Sequence, residues 1–335
     1  MSSPYPSRKE ARETQSPEPS SNGHGLKAAL QWAADRVGNA RRSEARAWAW
    51  GLGTIGTILF FGLLGAGLWL SKETALPAET VPGVLDSVEV SGRRGRQPIV
   101  VLSSPVDVSG TKVRVERTGQ GIELEEGTPV LLSITAFDGE TGEVLNPNGE
   151  PNVVVAALDE AELGKTLSSL LVGKTEGTRL VVARPLTSGG TEIDVVDVLS
   201  TVASGNACNE EGPLAVSAES RAPTVERTVE EAPDGLVVQC LIKGEGEQVG
   251  AGDEVVVQYL AGSWSDGAVT SSTWSDGVPT LVNLDDIMSG LSEALVDRRV
   301  GSRLAITIPP DMATGEDTMF AVVDILAVSH TGEAR

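Results

Sequence analysis

Few side chains in this sequence can move a proton near neutrality. The two histidines are His24 and His330, one near each end, and the two cysteines are Cys208 and Cys240. A Ser–His–Asp triad or a Cys–His pair needs a histidine inside a folded core. A zinc site needs several convergent Cys or His ligands. Neither is available, so nucleophile and metal chemistry are excluded and no cofactor is expected. Carboxylates are abundant, with 47 Asp and Glu against 26 Lys and Arg and a net charge of −21. They read as solvated surface, and a chain this acidic is a poor match for phosphate, so no nucleic-acid partner is expected. Glycine-rich turns such as Gly244-Glu-Gly246 precede strands rather than helices, which rules them out as phosphate loops. The chemistry left is that of shape, in which apolar side chains enclose an apolar group. For that the chain holds four Phe, two Tyr and six Trp, several of them in one short stretch.

That stretch is residues 48–70, which carry no charge. Twenty-three residues in a helix reach roughly 34 Å, enough to cross a hydrocarbon layer. Trp48, Trp50 and Trp69 stand at its ends, where indoles favour the interface. Arg36, Arg41, Arg42 and Arg46 precede it closely and Lys72 alone follows closely, which places the N-terminus in the cytoplasm and the rest outside. Ala75-Leu-Pro-Ala78 resembles a signal cleavage site, but the apolar run and its leader are too long for a signal peptide. The expectation is a single-pass plasma-membrane anchor. Residues 1–24 are rich in Ser, Pro and charge and read as a disordered tail. Residues 25–47 read as a juxtamembrane helix, lying on the inner surface or extending the span. Residues 71–90 read as a linker.

The exterior part repeats itself. Residues 118–133 align with 243–258 at an offset of 125, residues 171–180 with 295–304 at 124, and residues 196–199 with 323–326 at 127. Three ordered matches at nearly constant offset indicate a tandem duplication, with copies at 91–204 and 223–330 and a linker at 205–222. In each copy, β-branched runs entered from a glycine turn predict strands. Ile287, Leu291 and Leu295 recur every fourth residue behind Asp285 and Asp286, and Leu163, Leu167 and Leu171 do the same in the first copy. That spacing predicts one helix, acidic at its start, packed on the sheet. The class is α+β: an antiparallel sheet wrapped on one short helix, twice, after a transmembrane helix.

The second copy resembles an FKBP-type peptidyl-prolyl isomerase domain. The resemblance rests on Gly244-Glu-Gly246, Gly252-Asp-Glu-Val-Val-Val-Gln-Tyr259, Trp264-Ser-Asp-Gly267, Ser271-Ser-Thr-Trp274, Val300-Gly-Ser-Arg-Leu-Ala-Ile-Thr-Ile-Pro-Pro310 and Val322-Val-Asp-Ile-Leu326. It implies an FKBP-like fold and rotation about X–Pro bonds, whose barrier of ~18–20 kcal/mol is set by amide resonance. A dry apolar cup favours the twisted amide over the planar one. The resemblance implies a pocket built from Tyr259, Thr270, Ser271, Ile287, Met288, Leu291, Thr314 and one of Phe320 or Ala321. Several of these depart from the family pattern. Thr270-Ser271 stands where the family has Phe-Asp, Leu291 where it has the floor Trp, and Thr314 where it has a second pocket Tyr. The last strand offers Ala321 where Phe is usual, with Phe320 one residue away. The expected activity is therefore weak in the second copy and absent from the first, where Ile134 replaces the Tyr.

Other roles stay open at this stage. Tyr259 is either a pocket residue or a half-buried strand Tyr. Trp264 and Trp274 either border a peptide groove or pack. Arg303 reads as a surface ion pair, and the pairing of Cys208 with Cys240 is undecided. The expected partners are exported or envelope proteins with X–Pro bonds and the membrane itself. The competing reading is a non-catalytic binding or spacer module of the same fold.

Overall fold

The computed structural model describes residues 83–147, 149–208, 210–217 and 222–329. The expected tail, juxtamembrane helix and membrane span lie outside the described residues, as do both histidines. Among the described residues no helix is long and apolar enough to cross a membrane.

The first repeat begins with a hairpin, β1 (Val88–Ser91) and β2 (Ile99–Leu102). There follow β3 (Lys112–Arg117), β4 (Pro129–Asp138), β5 (Asn152–Ala157), helix α1 (Glu160–Leu171), β6 (Arg179–Pro185) and β7 (Thr191–Val198). They form an antiparallel sheet in the order β3-β6-β7-β4-β5. Alternation along a strand decides which side chains meet. On β7, Val196 and Val198 join Leu163, Leu167 and Leu171 of α1, while Ile193 and Val195 join Val88 and Phe137 beneath the hairpin. Helix α1 starts where Asp159 accepts from the Glu162 amide at 2.8 Å, an N-cap that satisfies one of the orphan donors of the first turn.

The second repeat follows the same plan. A short strand β8 (Gly205–Ala207) leads into a hairpin, β9 (Leu214–Val216) and β10 (Val225–Arg227). The main sheet holds β11 (Val237–Gly244), β12 (Glu254–Ser263), β13 (Val269–Ser272), β14 (Thr280–Asn283), β15 (Arg303–Ile308) and β16 (Met319–Ser329). Its order is β13-β12-β16-β15-β11-β8, with β14 also on β12. A single turn, α2 (Thr273–Asp276), and helix α3 (Ser289–Leu295) complete it. The hairpin covers the face opposite α3, where Leu214 joins Leu260, Trp264, Phe320 and Val322.

Three sequence expectations change. The stretch at 205–222 carries β8 and β9, so each repeat owns a hairpin that composition had assigned to linker or loop. The helix does not open at Asp285: the Asn283 side chain and carbonyl accept from the amides of Asp285 and Asp286, and that turn delays α3 to Ser289. Arg303 is not on the surface. It forms a two-toothed ion pair with Asp324, Nε–Oδ1 at 2.6 Å and Nη2–Oδ2 at 2.8 Å, with both side chains buried. Arg179 and Asp197 make the same pair in the first repeat, at 2.6 and 2.7 Å. Each aspartate also receives a backbone amide from a preceding segment, Gly95 for Asp197 and Ala203 for Asp324. Cys208 and Cys240 are joined, tying β8 to β11.

The two repeats share a small apolar cluster. Leu131, Val153, Val155 and Leu199 of the first pack with Val256, Leu281, Leu326 and Ala327 of the second. By strand register Leu131 corresponds to Val256, Val155 to Leu281 and Leu199 to Leu326, so matching surfaces of the two copies meet. Around this cluster Arg93 donates to the Glu245 carbonyl at 3.0 Å and Arg96 pairs with Glu247 at 3.3 Å.

Candidate prolyl pocket

Tyr259 lies midway along β12, beside Val323 of β16, and Ala261 lies beside Ala321. Because side chains two apart share a face, Tyr259 and Ala261 form one row, and Met319, Ala321 and Val323 a second. Ile308 of β15, paired with Met319, adds a third. Helix α3 roofs these rows with Leu291, and Met288, its N-cap residue, stands at the rim. The roof comes this close because residue 290 is glycine: a Cβ there would lie 2.4 Å from Ile308 Cγ2. The eight side chains enclose an apolar cavity of ≈ 10 Å³. That is room for about one water molecule, and a pyrrolidine ring is several times larger.

The structure therefore brings together Tyr259, Met288, Leu291 and Ala321 from the sequence expectation. Ser271 joins them through its hydroxyl, 3.3 Å from the Tyr259 hydroxyl. The other expected residues stand apart from the cavity. Thr270 turns its hydroxyl to the Ala261 carbonyl at 3.3 Å. Ile287 is partly buried and packs on the core beside the cavity rather than lining it. Thr314 has a buried hydroxyl oxygen with no partner among the described residues and does not line the cavity. Phe320 is a correction: it is 1% exposed and points to the hairpin side, with Trp264 and Leu260. Strand alternation decides this, since Ala321 faces Tyr259 and its neighbour must face away. Gly262 makes room for that ring, whose Cζ would lie 2.3 Å from a Cβ. Trp264 and Trp274 belong to the same far side, with Arg227 and Arg303 respectively 5.9 and 5.7 Å from their ring centres. Sequence reasoning missed Ala261, Ile308, Met319 and Val323. The period-two pattern of β16 around Ala321 was the signal that could have found Met319 and Val323.

The first repeat shows what happens when this face is not kept apolar. By register, Ile134 takes the place of Tyr259, Arg184 that of Ile308, Glu192 that of Met319 and Asp194 that of Ala321. Arg184 pairs with Glu192 and, at 3.2 Å through Nε, with Asp194. Glu192 and Asp194 are both buried, and Asp194 Oδ1 has no partner among the described residues. Burial, and then the neighbouring Glu192 charge, push the Asp194 carboxyl up to about 7 although Arg184 pulls it down. A charged trio in this position leaves no dry cup for a prolyl ring.

Comparison with known proteins agrees with this geometry. The family described as FKBP-type peptidyl-prolyl cis-trans isomerase matches residues 245–323. A probable FK506-binding protein of Corynebacterium glutamicum is 30% identical over 114 residues, 31% of this chain and 97% of that protein. This chain belongs to the FKBP-type peptidyl-prolyl cis-trans isomerase family. The isomerase FkpA of Escherichia coli is 33% identical over 91 residues, 27% of this chain and 33% of its own length, so only a third of that relative is spanned. The crystal structure of FkpA from Escherichia coli aligns at 26% identity and a TM-score of 0.28, covering 36% of this chain and 53% of that one. The family match falls on the repeat that holds the apolar cavity, not on the one that holds the charged trio.

Proposed function

We propose that the second repeat accelerates cis–trans isomerisation of X–Pro bonds in exported or envelope proteins, held outside the cell by a membrane anchor at residues 48–70. The observation that carries this is the convergence of Tyr259, Met288, Leu291 and Ala321 on one dry, apolar face. A twisted amide has lost resonance and charge separation, so such a face stabilises it relative to the planar form without any acid or base. The Tyr259 and Ser271 hydroxyls supply polar groups at its edge. Aliphatic walls grip a proline ring less well than aromatic ones, so the rate enhancement is small.

A second reading, a non-catalytic binding or spacer module, is favoured by the ≈ 10 Å³ size of the cavity. NMR exchange spectroscopy on an X–Pro tetrapeptide with the full-length protein separates the two. Acceleration above buffer that disappears in Leu291→Asp supports catalysis. A rate equal to buffer with protein in excess over peptide supports the binding module. The anchor is tested separately, by whether the chain stays with the membrane fraction after an alkaline carbonate wash.

A further inference from the structure

A second opening in the molecule is far larger than the prolyl cavity and lies in the other repeat. A groove of ≈ 660 Å³ runs between β1 and β3. Its walls are residues 88–91 on one side and 114–116 on the other, with Asp86 and Val101 of β2 beside them. A sheet face would contribute alternate residues, whereas an unbroken run marks a strand edge. The pairing agrees, because β1 pairs with β2 alone and β3 with β6 alone among the described residues. Two strand edges therefore border one groove, and on β1 the Val88 amide is already bonded to the Leu85 carbonyl.

One contact shows what such an edge accepts. The Arg114 guanidinium donates from Nη2 to the Val88 carbonyl at 2.8 Å and from Nη1 to the Leu85 carbonyl. It supplies to the outer edge of β1 the kind of N–H donors that a neighbouring strand would supply. Further along, the groove carries apolar side chains in the open, with Val101 55% and Val115 39% exposed. Its charges are Asp86, Glu89 and Glu116 against the single Arg114, which is already bound to Glu116. Open edges with free main-chain groups pair readily with an extended chain.

We propose that the groove between β1 and β3 binds one extended polypeptide segment, apolar at alternate positions and basic between them, by main-chain pairing. The site is independent of isomerisation and gives the first repeat a client-holding role of its own.

The probe is a dye-labelled hexapeptide of alternating valine and lysine, titrated against the full-length protein by fluorescence anisotropy, with amide hydrogen exchange followed in parallel. Saturable binding is expected, with slowed exchange within residues 88–91 and 114–116. Glu89→Lys weakens it, and methylating alternate peptide nitrogens weakens it about tenfold through lost main-chain hydrogen bonds. Equal binding of the methylated peptide overturns the proposal. So does binding without slowed exchange at these residues, which would mean general attraction to an acidic protein. Protection present before peptide is added also overturns it, whether from residues 71–82 of the same chain or, if concentration-dependent, from a second copy.

Discussion

Met319 closes the candidate prolyl cavity with a side chain that has three rotatable bonds and no branch. It is buried at the start of β16, and Met288 stands partly exposed across from it. Met319→Ala enlarges the cavity and is expected to strengthen binding of a prolyl peptide severalfold while lowering stability by about 2–3 kcal/mol. Peptide titration and a urea melt read the two effects, and unchanged affinity would show that Met319 does not control access. The charged trio of the first repeat titrates instead. Asp194 has its folded pKa raised from 3.8 to about 7. Its contribution to stability is therefore full below the unfolded value and is lost as pH rises through about 7. Asp194→Asn removes this dependence, so at pH 8 the variant should be more stable than the parent by about 1–2 kcal/mol, and that advantage should shrink as pH falls to about 4. Urea melts at the two values check it. The sequence showed Tyr259, Met288, Leu291 and Ala321 through motif resemblance, which reports position along the chain. It could not place Phe320, because a one-residue uncertainty in a strand exchanges the two faces.

At the scale of elements, strands with uninterrupted Val, Ile and Leu were legible and the hairpins were not. β15 and β16 are entirely buried, so their apolar runs stand out. β9 and β10 have three residues each amid Pro, Glu and Ser, and only Leu214 of them is fully buried. A hairpin held by one or two anchors leaves little periodicity to read. Helix α3 was placed too early for a similar reason: apolar spacing marks which residues touch the core, and Ile287 does touch it from a turn. The buried pair of Arg303 and Asp324 was hidden because its partners lie 21 residues apart on adjacent strands. Arg303→Ala strands a buried carboxylate and should cost about 3–5 kcal/mol. A denaturant melt measures that loss. A cost below about 1 kcal/mol would restore the surface reading.

At the scale of the whole molecule, the repeat offset found in the sequence extends further than the three aligned blocks. The hairpins at Val88–Leu102 and Leu214–Arg227 keep the same spacing of 125 to 126. The contact between repeats had no sequence signature, since Val256 or Leu281 is an ordinary strand residue until its neighbour is known. Leu281→Glu places a charge in that cluster without entering either core. It should uncouple the repeats, splitting one calorimetric transition into two; a single unshifted transition would show that the cluster does not join them. Like surfaces that fit each other carry a further consequence. A protease cut in the connector near residue 202 would free two halves, each able to rejoin its former mate or to couple with a twin. The yield of hybrid against self-matched assemblies would then depend on how far the copies have drifted apart since they were one.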